Sequence, residues 1–173
     1  PADDVYYTPA PVPREDWYLY VGALVPYKKP DAAIEACRKL GRKLKIIGTG
    51  THEKAIRKLG YAEFLGYQSD EVVRDHYRRC RALLFPGEED FGIVPVEAQL
   101  CGTPVIAFAK GGAVDTVTPG TGLLYDGDLS EAMTRFEKMT FDPAGCRQGA
   151  LRFGREHHKK QIKDYVESAV KRP

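Results

Sequence analysis

The chain has 173 residues, 43% hydrophobic and 29% charged, with a formal net charge of +2. That length supports one domain with a sizeable core, and the composition is that of an ordinary globular protein rather than a disordered or fibrous one. Basic residues are spread out and no nucleic-acid-binding motif occurs, which argues against a DNA or RNA partner.

Residues 1–15, with prolines at 9, 11 and 13, read as an extended linker, leaving 16–173 as the domain. The chain opens on Pro1 and not Met, as expected of a piece of something longer. Its first residues lack the pattern of a signal peptide and no apolar run reaches membrane-spanning length, so a cytoplasmic location is the default expectation. Trp17–Val21 is the first predicted strand, followed by a loop containing Gly22 and Lys28-Lys29 and a helix from about Asp31 to Leu40. Lys45–Ile47 predicts a second strand, then Gly48-Thr49-Gly50 and a short helix to Leu59. Ala62–Leu65 predicts the third strand, and Gly66-Tyr67 turns the chain into a helix capped by Ser69 and running to Arg79. Ala82–Phe85 is a buried strand, and a helix from Val96 to Cys101 follows its loop. Strands at Val105–Phe108 and Leu123–Tyr125, a turn of helix near Asp115, and helices at Ser130–Met139, from Pro143 and at Gly154–Val170 complete the chain. This alternation predicts an α/β fold, a Rossmann-like parallel sheet with helices on both faces.

The cysteines, Cys37, Cys80, Cys101 and Cys146, stand far apart with no histidine at ligand spacing, so no metal site is expected. Asp126-Gly127-Asp128 has the D-x-D form of metal-dependent sugar-nucleotide enzymes, but it coincides with a turn signal and reads as a turn. Gly48-Thr49-Gly50 after a strand is a weak dinucleotide signal that lacks its third glycine. Lys159, Lys160, Lys163 and Lys171-Arg172 read as a solvated helix face, with an anionic membrane surface as the alternative.

The most informative stretch is Phe85-Pro86-Gly87-Glu88-Glu89-Asp90-Phe91-Gly92-Ile93-Val94-Pro95-Val96-Glu97-Ala98. It sets a cluster of carboxylates at the carboxyl end of a strand and just before a helix, the edge where open α/β sheets bind ligands. Helix N-termini favour anions, so carboxylates placed there suit a ligand carrying hydroxyl groups beside an anion. A diphosphate joined to a sugar has both. Asp90-Phe91-Gly92 also spells the kinase metal-binding triplet, but the other kinase motifs are absent.

The pattern E-x-F-G-[IV]-x-x-x-E, from Glu89 to Glu97, continues through Gly102-Thr103-Pro104-Val105-Ile106-Ala107 to Gly111-Gly112. It resembles the donor-site motif of the retaining glycosyltransferases of family 4. The resemblance runs from about Trp17 to the terminal helix and matches the C-terminal, donor-binding domain of a two-domain GT-B enzyme. It implies that Glu89 lies near the transferred sugar and that Glu97 holds the nucleotide ribose. Val21-Gly22-Ala23-Leu24-Val25-Pro26-Tyr27-Lys28 resembles the family's phosphate loop, which makes Lys28, with Lys29 beside it, the cation for the departing diphosphate. The family's arginine after the glycine is replaced by Ala23, and one ammonium grips a diphosphate less well than a guanidinium fork. Lys29, Arg14 and Lys110 are the candidates to compensate.

The backbone amides of Phe91, Gly92, Ile93 and Val94 are expected at the helix start, where they can meet phosphate and sugar oxygens. Gly111-Gly112 would let backbone approach the ligand closely. Gly66-Tyr67 could flank the base, although Tyr67 reads equally well as a surface aromatic. By resemblance the donor is a nucleotide sugar such as GDP-mannose or a UDP-sugar, no cofactor or metal is needed, and a glycan or lipid-linked sugar acceptor binds an N-terminal domain not present here. Peripheral association with the inner face of a membrane would fit such acceptors. The alternative is a non-catalytic sugar-nucleotide-binding module that needs a separate acceptor domain or partner chain.

Overall fold

The computed structural model describes residues 1–170, so Lys171 and Arg172 of the basic C-terminal face lie outside the described residues. The described strands are β1 (Trp17–Val21), β2 (Lys43–Ile47), β3 (Glu63–Gly66), β4 (Ala82–Phe85), β5 (Val105–Phe108) and β6 (Gly122–Tyr125). They form one sheet in the order β3-β2-β1-β4-β5-β6, and every pairing is parallel. The order reverses between β1 and β4, the switch point outside whose carboxyl ends open α/β sheets place their ligand crevice.

The sheet is covered on both faces, which is why its strands are nearly continuous apolar runs. Successive side chains enter opposite cores. Leu19 and Leu83 pack with Val73, Tyr77, Val96 and Leu100 on one face. Tyr18, Tyr20 and Leu84 pack with Ile34, Ile56, Met133 and Phe136 on the other. Full burial of each such aliphatic side chain contributes about 1.5–3 kcal/mol.

The helices are α1 (Pro30–Leu40), α2 (Glu53–Arg57), α3 (Asp70–Arg79), α4 (Ile93–Leu100), α5 (Ala113–Thr116), α6 (Leu129–Phe136), α7 (Pro143–Ala150) and α8 (Arg155–Val170). Local chemistry sets their ends. α1 starts on Pro30 and stops at Gly41 in the left-handed region. Ser69 and Asp142 cap α3 and α7. Asp128 caps α6, its carboxylate accepting from the Glu131 amide at 3.0 Å and pairing with Lys39 at 3.7 Å, so the D-x-D sequence forms a turn and a helix cap.

Two helix boundaries differ from the sequence expectation by three residues. α4 begins at Ile93 rather than Val96, because Pro95 sits in the first turn, where its missing N–H leaves no hydrogen bond unmade. α6 ends at Phe136, where the ring stacks on Phe141 at 5.1 Å and turns the chain before Met139. The terminal helix α8 forms as expected but buries none of its residues. Among the described residues no helix is long and apolar enough to cross a membrane.

The segment read as an extended linker is fastened along the domain. The Ala2 amide donates to the Phe153 carbonyl at 3.0 Å, and Asp4 accepts from the Arg155 amide at 3.0 Å. Arg147 donates to the carbonyls of Tyr7 and Asp4, Arg74 to Tyr6, and Arg78 to Thr8. Ala2 and Tyr7 are buried.

Candidate functional site

The crevice is built from the β1 and β4 loops. After β1 the chain passes Gly22 and an exposed Ala23, then makes a short 3-10 turn over Pro26–Lys28. After β4 it passes Pro86-Gly87 into the acidic loop. A Cβ on Gly87 would lie 2.6 Å from the Lys28 Cα, so only glycine lets the two loops meet. Their meeting point is an ion pair, with Lys28 Nζ 2.9 Å from Glu89 Oε1 and both side chains about four-fifths buried (18% and 21% exposed).

Gly92, at φ 75°, swings the chain from the acidic loop into α4. No side chain caps this helix, so its first-turn N–H groups face the crevice without a protein acceptor from a cap. Glu97, one turn further along α4, borders a cavity of 450 Å³ with Gly22, Ala23, Ile47, Tyr67, Asp70, Ile93 and Val94. A neighbouring 360 Å³ cavity is lined by Tyr27, Glu88, Glu89, Asp90, Phe91, Gly92 and Ile93. Ile93 is the shared wall. One compartment is mostly apolar with a single buried carboxyl, and the other combines carboxylates with aromatic rings.

Burial pushes the Glu97 carboxyl up to about 7, against the pull of the Tyr77 and Tyr7 hydroxyls and with Asp70 adding to the rise. Tyr77 donates to Glu97 Oε2 at 3.3 Å. Burial likewise pushes the thiols of Cys37, Cys80 and Cys101 up to about 12 and that of Cys146 to about 11, which removes them as nucleophiles near neutral pH. Among the described residues no group of three or more His, Cys, Asp or Glu side chains could hold a metal ion.

Most of the sequence-predicted residues converge. Glu97, Gly22, Tyr67, Ile93 and Val94 border the first cavity, with Gly66 at the strand end beside Tyr67. Glu89, Phe91, Gly92 and Ile93 line the second, and Lys28 reaches it through Glu89. Tyr67 is 83% exposed at the cavity rim, which fits both of its readings.

Four expectations are placed differently. Lys29 turns away in a left-handed conformation, its Nζ 4.7 Å from the centre of the Phe108 ring, in a separate groove between α1 and α6. Arg14 is at the opposite edge of the sheet, committed to the Cys80 carbonyl at 2.8 Å, Thr103 Oγ1 at 2.9 Å and the Gly102 carbonyl, so it cannot stand in for the missing arginine. Lys110 sits 5.6 Å from the same Phe108 ring as Lys29. Gly111 and Gly112 do provide a close approach, but to the acidic loop itself. Added Cβ atoms would come within 2.2 Å of the Glu89 carbonyl and 2.3 Å of the Phe91 carbonyl, and the Gly112 amide donates to Glu89 at 2.8 Å.

Sequence reasoning missed Tyr77, Tyr7 and Asp70. Tyr77 follows Val73 at helical spacing and was legible as a core position, but nothing local ties it to Glu97. Tyr7 lay hidden in the Pro-rich start.

The model of the glycosyl transferases group 1 family matches residues 10–148. The chain is 35% identical over 156 residues to the D-inositol 3-phosphate glycosyltransferase of Mycobacterium sp. (strain KMS), covering 80% of this chain and 36% of that protein. It is 32% identical over 154 residues to a GDP-mannose-dependent monoacylated alpha-(1-6)-phosphatidylinositol monomannoside mannosyltransferase of Corynebacterium glutamicum, covering 78% of this chain and 40% of that one. The chain therefore spans well under half the length of these relatives. Its fold superposes on Anabaena HepE, solved with UDP and glucose, with a TM-score of 0.79 at 21% identity, over 96% of this chain and 55% of that one. The matched span, which contains β1 to β6 and the lining of both cavities apart from Tyr7, shows that this chain belongs to the group 1 glycosyl transferases.

Proposed function

We propose that this chain is the nucleotide-sugar-binding half of a retaining glycosyltransferase that moves a hexose to a glycan or lipid-linked acceptor. The observation that carries the reading is the pairing of two adjoining cavities across Ile93 at the carboxyl edge, one holding Glu97 and the other the Lys28–Glu89 pair. A nucleoside fits the first, with Glu97 accepting from the ribose hydroxyls and apolar residues against the base. The α4 amides and Lys28 then meet the diphosphate, where fixed positive charge stabilises the departing anion. Glu89 and the aromatic rings of the second cavity meet the sugar.

In this reaction the glycosidic carbon–oxygen bond to the diphosphate breaks as the bond to the acceptor oxygen forms on the same face. The acceptor proton passes to the departing diphosphate, and configuration is retained. GDP-mannose is the first donor to test, since the Corynebacterium relative is named for it; UDP-sugars come next. No metal or cofactor is assigned to the step. The acceptor is assigned to an N-terminal domain of the whole enzyme, and the expected workplace is the cytoplasm, at the inner face of the membrane.

The test is a thermal-shift panel with GDP, UDP, ADP and their sugar conjugates, repeated on Glu97→Ala. A nucleotide at one hundred times its dissociation constant stabilises by about 2.7 kcal/mol. The expected result is a clear rise with one base that the variant loses; no rise with any of them rejects the reading. A second reading, a binding module without turnover, is favoured by Ala23, which lines the first cavity where an arginine would bring it a cation. Sugar transfer by this chain alone would exclude it.

A further inference from the structure

Glu97 is an unusual carboxyl to place beside a ribose. To accept two hydroxyl groups it must be ionised, yet among the described residues it forms no ion pair, and Arg155, which lines a 400 Å³ cavity with it, pairs with Asp3 at 2.6 Å. Its surroundings are Tyr77 and Asp70 from α3, Cys101 from its own helix, Tyr7 and Asp3 from the N-terminal segment, and Arg155 at the start of α8. Asp70 and burial oppose the charge, whereas the Tyr77 hydroxyl, donating to Oε2 at 3.3 Å, and Tyr7, lining the same two cavities as Glu97, favour it. Burial raises both phenols above their ordinary range, so they stay protonated and keep donating.

Tyr7 is placed with care. It is 7% exposed, and its ring meets Tyr77 edge-on at 6.0 Å and Tyr6 at 5.2 Å. Its carbonyl is held by Arg147 at 2.9 Å. With Glu97 and Asp70 it borders both the 450 Å³ cavity and the one of 400 Å³, which Asp3 and Arg155 also line.

We propose that Tyr7 is a positioning residue of the nucleotide site, its hydroxyl holding the Glu97 carboxylate, together with Tyr77, in the state and orientation that accept the ribose hydroxyls. The segment before the first strand is then part of the donor site. This rests on the nucleotide reading given above.

Two measurements on the full chain test it. The first follows the Glu97 carboxyl by carbon-13 NMR without nucleotide, with Glu97→Gln to assign the resonance. Tyr7→Phe keeps the ring, and near-ultraviolet circular dichroism checks that the packing persists. The expected result is an upward move of the Glu97 midpoint in Tyr7→Phe, as in Tyr77→Phe. An unmoved midpoint overturns the proposal whatever nucleotides do. The second measures GDP, UDP and ADP binding by calorimetry at about pH 6 and about pH 8. Tyr7→Phe should bind about tenfold more weakly near neutrality and recover part of that at the higher pH. Binding equal to wild type, while Glu97→Gln binds nothing, overturns the positioning role alone. A wild-type chain that binds no nucleoside diphosphate overturns the nucleotide reading and this proposal with it.

Discussion

The two edges of the sheet use positive charge in opposite ways. At the amino edge, guanidinium groups are consumed by the fold. Arg14 closes three acceptors around the starts of β4 and β5. Arg42 grips Glu137 through two bonds of 2.7 Å, and Tyr18 donates to the same carboxylate at 3.0 Å, holding Glu137 below the usual carboxylate range. At the carboxyl edge one lysine meets one carboxylate, and among the described residues the carboxyl of Glu97 is in no ion pair. Arrangements that satisfy every partner rigidify a fold, whereas groups left short of partners can exchange them for a ligand. The difference separates scaffold from site without reference to any relative.

The comparison can be broken in four places. The largest effect is expected from pH. Glu97 has a folded value raised to about 7 from 4.5. Its contribution to stability is full below the unfolded value, falls as pH rises through about 7, and is then lost, a change on the order of 3 kcal/mol. Urea denaturation of wild type against Glu97→Gln across that window should show the difference, and parallel curves would mean the carboxyl is not desolvated. Next, Arg14→Met should cost about 2 kcal/mol, because it strands carbonyls at the amino edge, while leaving nucleotide affinity unchanged. A loss of affinity there would erase the distinction between the edges. Ala23→Arg should raise nucleoside diphosphate affinity about tenfold by adding a charged donor to the phosphate side, as read by calorimetry. The smallest effect concerns Gln99 on α4, fully buried with neither amide atom hydrogen-bonded among the described residues. Gln99→Leu should stabilise by about 1 kcal/mol, seen as a raised Tm.

The fold was readable because its signals are local. Val105–Phe108 and Ala82–Phe85 announce strands by composition, and Ser69 and Gly41 mark helix ends. The acidic loop and Glu97 were readable too, since their spacing along one loop and one helix fixes their shared edge. What escaped depends on contacts between distant segments. Lys28 and Lys29 are neighbours in sequence, and only the left-handed backbone of Lys29 sends them to different grooves. Arg14 looked free because its acceptors lie far along the chain, at Cys80 and Gly102-Thr103. Gly111-Gly112 was read as open to ligand because the backbone it meets, at Glu89 and Phe91, comes from another strand's loop.

The fastening of residues 2–8 along α3, α7 and the start of α8 bears on how such enzymes can be recombined. A chimera that exchanged this domain at the Pro-rich stretch near Glu15 would transfer all the described strands together with Glu89 and Glu97. It would leave Tyr7 behind, attached to the other parent, beneath a carboxyl it did not evolve with. Junctions placed ahead of Ala2 keep the tyrosine with its glutamate, and comparing the two crossover points would show how far donor preference is written upstream of the first strand.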